Sequence, residues 1–327
     1  KKTVLYTNLA GAEGLKVVAF AEGLDHPRWM LELPNGDILV AESWAPKRPS
    51  QGLGVRIARN IMSKADGVKT SPDRITLLRD ANGDGVAEFR SALLEGLHSP
   101  FGMALVGETL YVANTDALMA FPYKAGDTRI TAKGTKVLAL PSSPPNNHWA
   151  RNVVASPDGS ALYITVGSNS NIAEGGMERE KDRALIMEYD LKTKQSLIYA
   201  YGLRNPNGLD FNPKSGTLWT VVNERDMLGS DGPPDYLTTV DFGTFYGWPF
   251  YYWGGIPDQR VPQLRLDLQQ YTKRPDYALG PHVAALGLAF NSGTALGTRY
   301  ANGAFIGMHG SWNRYPAAGY KVVYVAF

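Results

Sequence analysis

Short runs of alternating or continuous apolar residues, each closed by an Asn, Asp, Gly or Pro turn, recur along the chain, and no long helical period interrupts them. Five segments share one grammar: a Gly-Leu or His opening, a polar turn, an apolar strand, a tight turn and a second strand. They run from Gly23 to Ser43 (GLDHPRWMLELPNGDILVAES), Gly96 to Thr115 (GLHSPFGMALVGETLYVANT), His148 to Ser168 (HWARNVVASPDGSALYITVGS), Gly202 to Glu224 (GLRNPNGLDFNPKSGTLWTVVNE) and, more loosely, His282 to Trp312. Each predicts a hairpin. PNGD, SPDG and NPKSG supply the residues that tight turns need. DILVAE, ALYITVG and TLWTVVN are rich in the β-branched and aromatic residues that suit a pleated surface. ALIMEYDL and KVVYVAF are further strand candidates between the units. The pattern gives about four strands per unit, repeated roughly every 50 to 80 residues, the spacing of propeller blades. The expected fold is a single all-β propeller domain spanning residues 1–327.

Two long stretches rich in Gly and Pro, Trp44 to Ser71 and Asp226 to Pro281, read as insertions between blades, and loops of that length are usually lids or binding loops. Met177 to Arg183 reads as a short helix or a loop. Composition changes the picture little. Hydrophobic residues make up 44% and charged residues 20% of the 327, enough for a sizeable core. The formal net charge is only +2 and no Lys/Arg block concentrates it, which argues against a nucleic-acid partner. The absence of cysteine excludes disulfides, thiolate zinc sites and iron–sulfur clusters. No apolar run approaches the roughly 18 residues of a membrane span. Lys1 to Ala10 does not read as a signal peptide.

The candidate chemistry lies in the turns. DANGDGVAE offers Asp80, Asn82, Asp84, Val86 and Glu88 as a ligand set, with oxygen donors at alternate positions as in the first half of a calcium loop. The twelve-residue pattern is incomplete, and a solvated hairpin fits the same residues. NERDMLGSD places Glu224, Asp226 and Asp231 in a loop at a strand end, where a solvated acidic loop is the alternative. Arg28, His148, Arg204 with Asn205, and His309 with Arg314 stand at equivalent places in successive repeats. Equivalent positions of successive blades face one end of a propeller, so these residues are expected to converge. Convergent Arg and Asn donors suit a planar anion, and a His among them can take a proton near neutral pH. No nucleophile elbow, zinc-protease helix, phosphate loop or dinucleotide fingerprint competes.

The motifs GLDHPRW, NHWARNVVASPDG, GLRNPNGL, LWTVVNERDMLGSD, PDYLTTV, FYGWP and HGSWNRYPAAGYKVV carry a resemblance across nearly the whole chain. The sequence resembles the glucose/sorbosone dehydrogenases, soluble quinoproteins that hold pyrroloquinoline quinone (PQQ) on a six-bladed propeller, and within them the sorbosone-dehydrogenase-like branch. The resemblance implies PQQ- and calcium-dependent oxidation of a sugar, aldose or sugar-derived aldehyde. It implies an external quinone or cytochrome as electron acceptor, and a periplasmic or secreted location. By the same resemblance His148 matches the base that takes the hydroxyl proton. Arg204 and Asn205 match the PQQ-binding pair, the Arg lying near the reacting carbonyl. Arg28, His309 and Arg314 match further basic cofactor contacts. Glu224, Arg225 and Asp226 match the loop that holds the calcium beside PQQ, mainly through backbone carbonyls. The family continues past KVVYV into a last blade that this chain does not show, and Lys1 to Ala10 is a candidate to pair with the fifth repeat instead. Two other readings stand beside this one: a calcium-dependent propeller hydrolase of the lactonase kind, and a binding propeller without catalysis. Trp44, Trp149, Tyr251 and Trp253 offer themselves either for stacking on a sugar face or for packing within the blades.

Overall fold

The computed structural model describes residues 11–12, 14–47, 71–261, 265–293 and 295–327. Its first sheet is built from β1 (Pro27–Glu32), β2 (Ile38–Glu42), β3 (Arg74–Arg79) and β4 (Phe89–Leu94), paired in that order and antiparallel throughout. The second repeats the plan with β5 (Met103–Val106), β6 (Thr109–Ala113), β7 (Ala117–Pro122) and β8 (Thr135–Ala139), and the third with β9 (Val153–Ala155), β10 (Ala161–Val166), β11 (Leu185–Asp190) and β12 (Ser196–Tyr201). The fourth begins with β13 (Pro206–Phe211), β14 (Leu218–Val222) and β15 (Pro234–Thr239). The chain then leaves it to form β16 (Thr244–Phe245), β17 (Tyr251–Tyr252) and β18 (Ile256–Pro257), and returns as β19 (Tyr277–Pro281), which pairs with β15. The fifth sheet holds β20 (Ala285–Phe290), β21 (Gly303–Met308) and β22 (Lys321–Ala326).

The first strands of successive sheets lie side by side, β1 by β5, β5 by β9, β9 by β13 and β13 by β20, which is the inner ring of a propeller. The described residues form five blades. The sixth expected from the resemblance is not among them, and Lys1 to Ala10 lies outside the described residues.

The four largest hydrophobic cores each occupy the seam between two neighbouring blades. Leu39, Ile75 and Leu77 of the first blade pack with Met103, Leu110 and Val112 of the second. Leu118 meets Ile164 and Leu185 at the next seam, Ile186 meets Leu209 and Tyr236 at the third, and Val221 and Leu237 meet Leu288 and Ile306 at the fourth. The alternation along each strand is what allows both faces to be covered: successive side chains point to opposite faces, and each face meets a different neighbour.

Both stretches expected between blades lie within blades instead. Trp44 to Ser71 joins β2 to β3 of the first blade, and most of it lies outside the described residues. Asp226 to Pro281 contains the third and fourth strands of the fourth blade. The Gly and Pro that end β19 hide it from a propensity reading. Residues 240–276 are thus an excursion between β15 and β19. It starts beside Leu218, then climbs the outer side of the third blade. There β16 runs parallel to β12, pairing Thr244 with Ala200 and Phe245 with Tyr201. Met177–Glu180 is a short 3-10 turn.

The seams set the stability. Leu110 is fully buried between the first two blades, whereas Val322 is 67% exposed on β22. Leu110→Ala is expected to cost about 2–5 kcal/mol in chemical denaturation, and Val322→Ala less than about 0.5 kcal/mol. Equal effects would show that the cohesion does not lie between the blades.

Candidate functional site

In an up-and-down blade the connection into the first strand and the connection from the second to the third strand lie at the same end. This places Arg28, His148, Arg204, Asn205 and His282 at one end of the propeller together with Ser43, Thr115, Ser168–Asn171, Asn223–Asp231 and His309–Arg314. A repeated hydrogen bond locks neighbouring blades there. Ser43 Oγ donates to the Pro100 carbonyl (2.6 Å), Thr115 Oγ1 to Trp149 (2.9 Å), the Ser168 amide to Arg204 (2.7 Å) and Asn223 Nδ2 to Ala285 (2.6 Å). The expected convergence therefore has a mechanical basis, since each blade hands its site loop to the next.

His148 is half-buried, with Nδ1 2.9 Å from both the carbonyl and the hydroxyl oxygen of Ser168, whose hydroxyl is itself committed to Ser170 O. A carbonyl partner places the ring proton on Nδ1 and leaves Nε2 as the basic nitrogen. Its loop is fixed from behind by Arg151. That fully buried guanidinium donates to the carbonyls of His148, Ala150 and Pro141 and to Asn146 Oδ1. Burial, with Arg183 close by, pulls Arg151 down to about 9. Gly167 separates His148 from Asn205. A Cβ there would lie 2.5 Å from Asn205 Oδ1 and 2.6 Å from the His148 Cβ, so only glycine allows the two side chains to come this close. Asn205 Oδ1 is buried and has no donor.

Arg204 is buried, and its donors go to the protein: to Asn171 O and Oδ1 (3.3 and 2.8 Å), Asn223 O (3.4 Å), Glu224 O (2.6 Å) and Asp226 Oδ2 (2.7 Å). Asp226 in turn accepts from Asn313 Nδ2 (2.9 Å) and faces His282 Nδ1 at 3.6 Å, while His282 Nε2 donates to Gly229 O (2.8 Å). Five loops from three blades meet on this one ion pair. Arg28 donates to Ser43 O (2.8 Å), with its guanidinium over the rings of Trp44 and Trp149 at 5.2 and 5.6 Å. Arg314 donates to Ser230 O, Pro316 O and Asp231 Oδ1, and His309 is exposed.

The Glu224–Asp226 loop carries its side chains in three directions. Glu224 is buried and accepts from the Arg225 amide; Arg225 is buried and pairs with Asp258 (2.6 Å); Asp226 turns to Arg204. Asp80, Asp84 and Glu88 do come together, with oxygens within 4.8 Å of one another, and are the single such grouping among the described residues. They lie between β3 and β4, at the opposite end of the first blade from Arg28, and their loop folds on itself: Asp80 accepts from the Gly83 and Gly85 amides, Asp84 from the Val86 amide, and Glu88 from Asn82. Of the aromatic candidates, Tyr251 is buried with its hydroxyl on Arg265 O, and Trp253 lies against Arg274 and Tyr236. Both are packing residues.

Sequence reading missed Asn171, Asp235, Trp248, Asp258 and Asn313. Trp248 Nε1 donates to Asn171 O (2.9 Å), and Asp235 accepts the Glu224 and Ala284 amides (2.8 and 2.7 Å), tying the fourth blade to the fifth. Asn313, beside the noted Arg314, was the one with a visible signal.

Burial pushes Glu224 up to about 7 and Asp235 up to about 6, the amides on each opposing it. Both folded values exceed those of the unfolded chain, so the folded protein holds more protons in between. Their contribution to stability is complete below about pH 4 and is lost as pH rises through about 6 to 7. In calcium-free buffer the denaturation midpoint is expected to fall over that window. Glu224→Gln, which copies the neutral acid, should flatten the fall. An unaltered slope in that variant would remove Glu224 from the account.

The sequence pattern of the TrAA12-like family matches residues 9–234 and 267–327. Among curated proteins, an aldose sugar dehydrogenase of Escherichia coli is 27% identical over 50% of this chain and 46% of its own length. A pyrroloquinoline quinone-dependent pyranose dehydrogenase of Coprinopsis cinerea is 24% identical over 67% and 35%. The chain spans between 35% and 61% of the length of the first curated relatives it matches. An iodide structure of a Trichoderma reesei family AA12 carbohydrate-active enzyme superposes with a TM-score of 0.76 over 97% of this chain and 82% of that one, at 20% identity, and so shares its fold. With 226 residues matched before the stretch 235–266 and 61 after it, the chain belongs to the TrAA12-like family.

Proposed function

We propose that this chain oxidises a sugar, an aldose, pyranose or sorbosone-like aldehyde, by passing two electrons to PQQ held with calcium at the propeller end that carries His148. The observation that carries the reading is the meeting of His148 and Asn205 across Gly167, beside the Arg204–Asp226 pair. The names of the relatives, an aldose sugar dehydrogenase and a PQQ-dependent pyranose dehydrogenase, support the same chemistry.

The residues fit such a cofactor. Asn205 Oδ1 is a buried acceptor without a donor, Arg28 brings positive charge to the same end, and Asp226 keeps a carboxylate 24% exposed. Arg28, Asn205, His309 and Arg314 would hold the planar tricarboxylate. The loop Glu224, Arg225 and Asp226 would face the calcium, whose hard charge suits carbonyl and carboxylate oxygens. When bound, the quinone supplies the two-electron acceptor and the calcium polarises it.

The chain's own part is proton handling and placement. His148 Nε2 takes the substrate hydroxyl proton as hydride leaves the adjacent carbon, and the Ser168 carbonyl stabilises the ring as its charge appears. Arg204, with its donors spent on Asn171, Glu224 and Asp226, positions the loop and lends its field to the reacting end. Asp80, Asn82, Asp84, Val86 and Glu88 form a second, structural calcium loop in the same reading. An external quinone or cytochrome accepts the electrons, outside the cytoplasm. Among the described residues no helix is long and apolar enough to cross a membrane.

Reconstitution tests this reading. Protein mixed with PQQ and Ca²⁺ is expected to shift the quinone absorption and then bleach it on addition of an aldose. His148→Ala should keep the shift and lower turnover by roughly 10²–10⁴-fold. A quinone band that stays at its free position, or full turnover in His148→Ala, overturns the proposal.

A further inference from the structure

The family match passes over residues 235–266, which hold most of the excursion that climbs the third blade. Its path leads to the site. The Gly243 amide bonds to Tyr199 O, the Tyr246 amide to Tyr201 O and the Trp248 amide to Gly202 O, each a step closer to the turn that holds Arg204. There it makes three contacts with the site loops. Trp248 Nε1 donates to Asn171 O (2.9 Å), Arg260 Nη1 donates to Met227 O (2.5 Å), and Asp258 Oδ2 meets Arg225 Nε at 2.6 Å. The β17–β18 hairpin delivers Asp258, and its other oxygen accepts the Arg260 amide (3.1 Å).

The contact with Arg225 differs in kind from the other two. Both side chains are almost wholly buried, at 1% and 3% exposure, and Arg225 Nε, Nη1 and Nη2 all lack a hydrogen-bond partner, so the contact with Asp258 is an ion pair alone. Arg260 and Arg204 are the nearby cations and both oppose its charge; of the two acids that favour it, Asp258 does so more than Glu224. A guanidinium in that position is tolerated only with a counter-charge, because a buried ion that has lost its hydration is strongly unfavourable when unpaired. The matched part of the chain supplies Arg225 and the unmatched part supplies Asp258, so neither makes sense alone. Arg225 sits between Glu224, whose carbonyl takes Arg204, and Asp226, whose amide and carbonyl are both held by Asn171. Where Arg225 lies therefore decides where the whole loop lies.

We infer that the excursion is a brace for the site, and that Asp258 is a positioning residue that fixes the Asn223–Asp231 loop by neutralising Arg225. The inference rests on the reading of that loop as the cation and cofactor loop only for its effect on binding; its effect on the loop itself stands separately.

The test uses the full chain and two measurements. Amide hydrogen exchange followed by mass spectrometry reads the loop without any ligand. Asp258→Asn is expected to speed exchange across 223–231 by on the order of tenfold or more while β5, β6 and β7 keep their protection. Calorimetric titration with Ca²⁺ and PQQ is expected to show affinity weakened by a similar factor. Asp258→Glu should recover part of both. The double variant Arg225→Met with Asp258→Leu, which removes the need for charge, should restore loop protection even if Asp258→Asn folds poorly. Unchanged exchange in Asp258→Asn overturns the brace, and so does a uniform loss of protection in every blade with no recovery in the double variant. If the wild-type chain binds neither Ca²⁺ nor PQQ, the proposed function fails, and the exchange result still decides the brace.

Discussion

The arrangement of the site depends on one ion pair, a buried Arg204 on a part-exposed Asp226. The two stand 2.7 Å apart, and Asn171, Asn223, Glu224 and Asn313 also bond to one or the other. A buried pair contributes little when it merely replaces apolar packing, but losing one partner typically costs about 3–5 kcal/mol because the other is left charged and dry. Here the pair joins the third, fourth and fifth blades at the end where their loops meet. Geometry that looks like independent loops is a single network, and a shift of one member would leave several polar groups unmatched at once.

That network is possible because the propeller supplies a rigid frame. The four largest cores fill the seams, so a blade is held by its neighbours and not by its own strands alone. Near the axis the strands approach closely, and polar side chains complete the contact: Asn152 Nδ2 donates to Asn207 O, and Thr220 Oγ1 donates to Gly208 O. The site residues stand on the ends of this frame, where strand termini place side chains more accurately than free loops do.

Much of this was legible in the sequence. The hairpins follow the turn residues, with PNGD between β1 and β2, SPDG between β9 and β10 and NPKSG between β13 and β14. The equivalence of Arg28, His148 and Arg204 in successive repeats foretold that they share one end. The excursion was not legible. Its strands are two residues long, too short to show a period, and FYGWPFYYWGG is aromatic on every face. Arg225 read as a carrier of backbone carbonyls because nothing in NERD announces that its side chain is buried under the loop. Its partner Asp258 sits in IPDQR, where an Asp after Pro reads as an ordinary turn. The pairing depends on a path through space between residues 33 positions apart, and no local pattern encodes it.

The parallel ladder of β16 on β12 has a further consequence. The outermost strand of a blade presents unpaired amides and carbonyls to solvent, a rail on which a strand from another molecule can dock. On the third blade that rail is occupied at Ala200 and Tyr201 by the chain itself, and Tyr201 is stacked on Phe245. The segment that reaches the site loops thus also covers part of one margin of the propeller, so edge protection and site architecture rest on the same excursion.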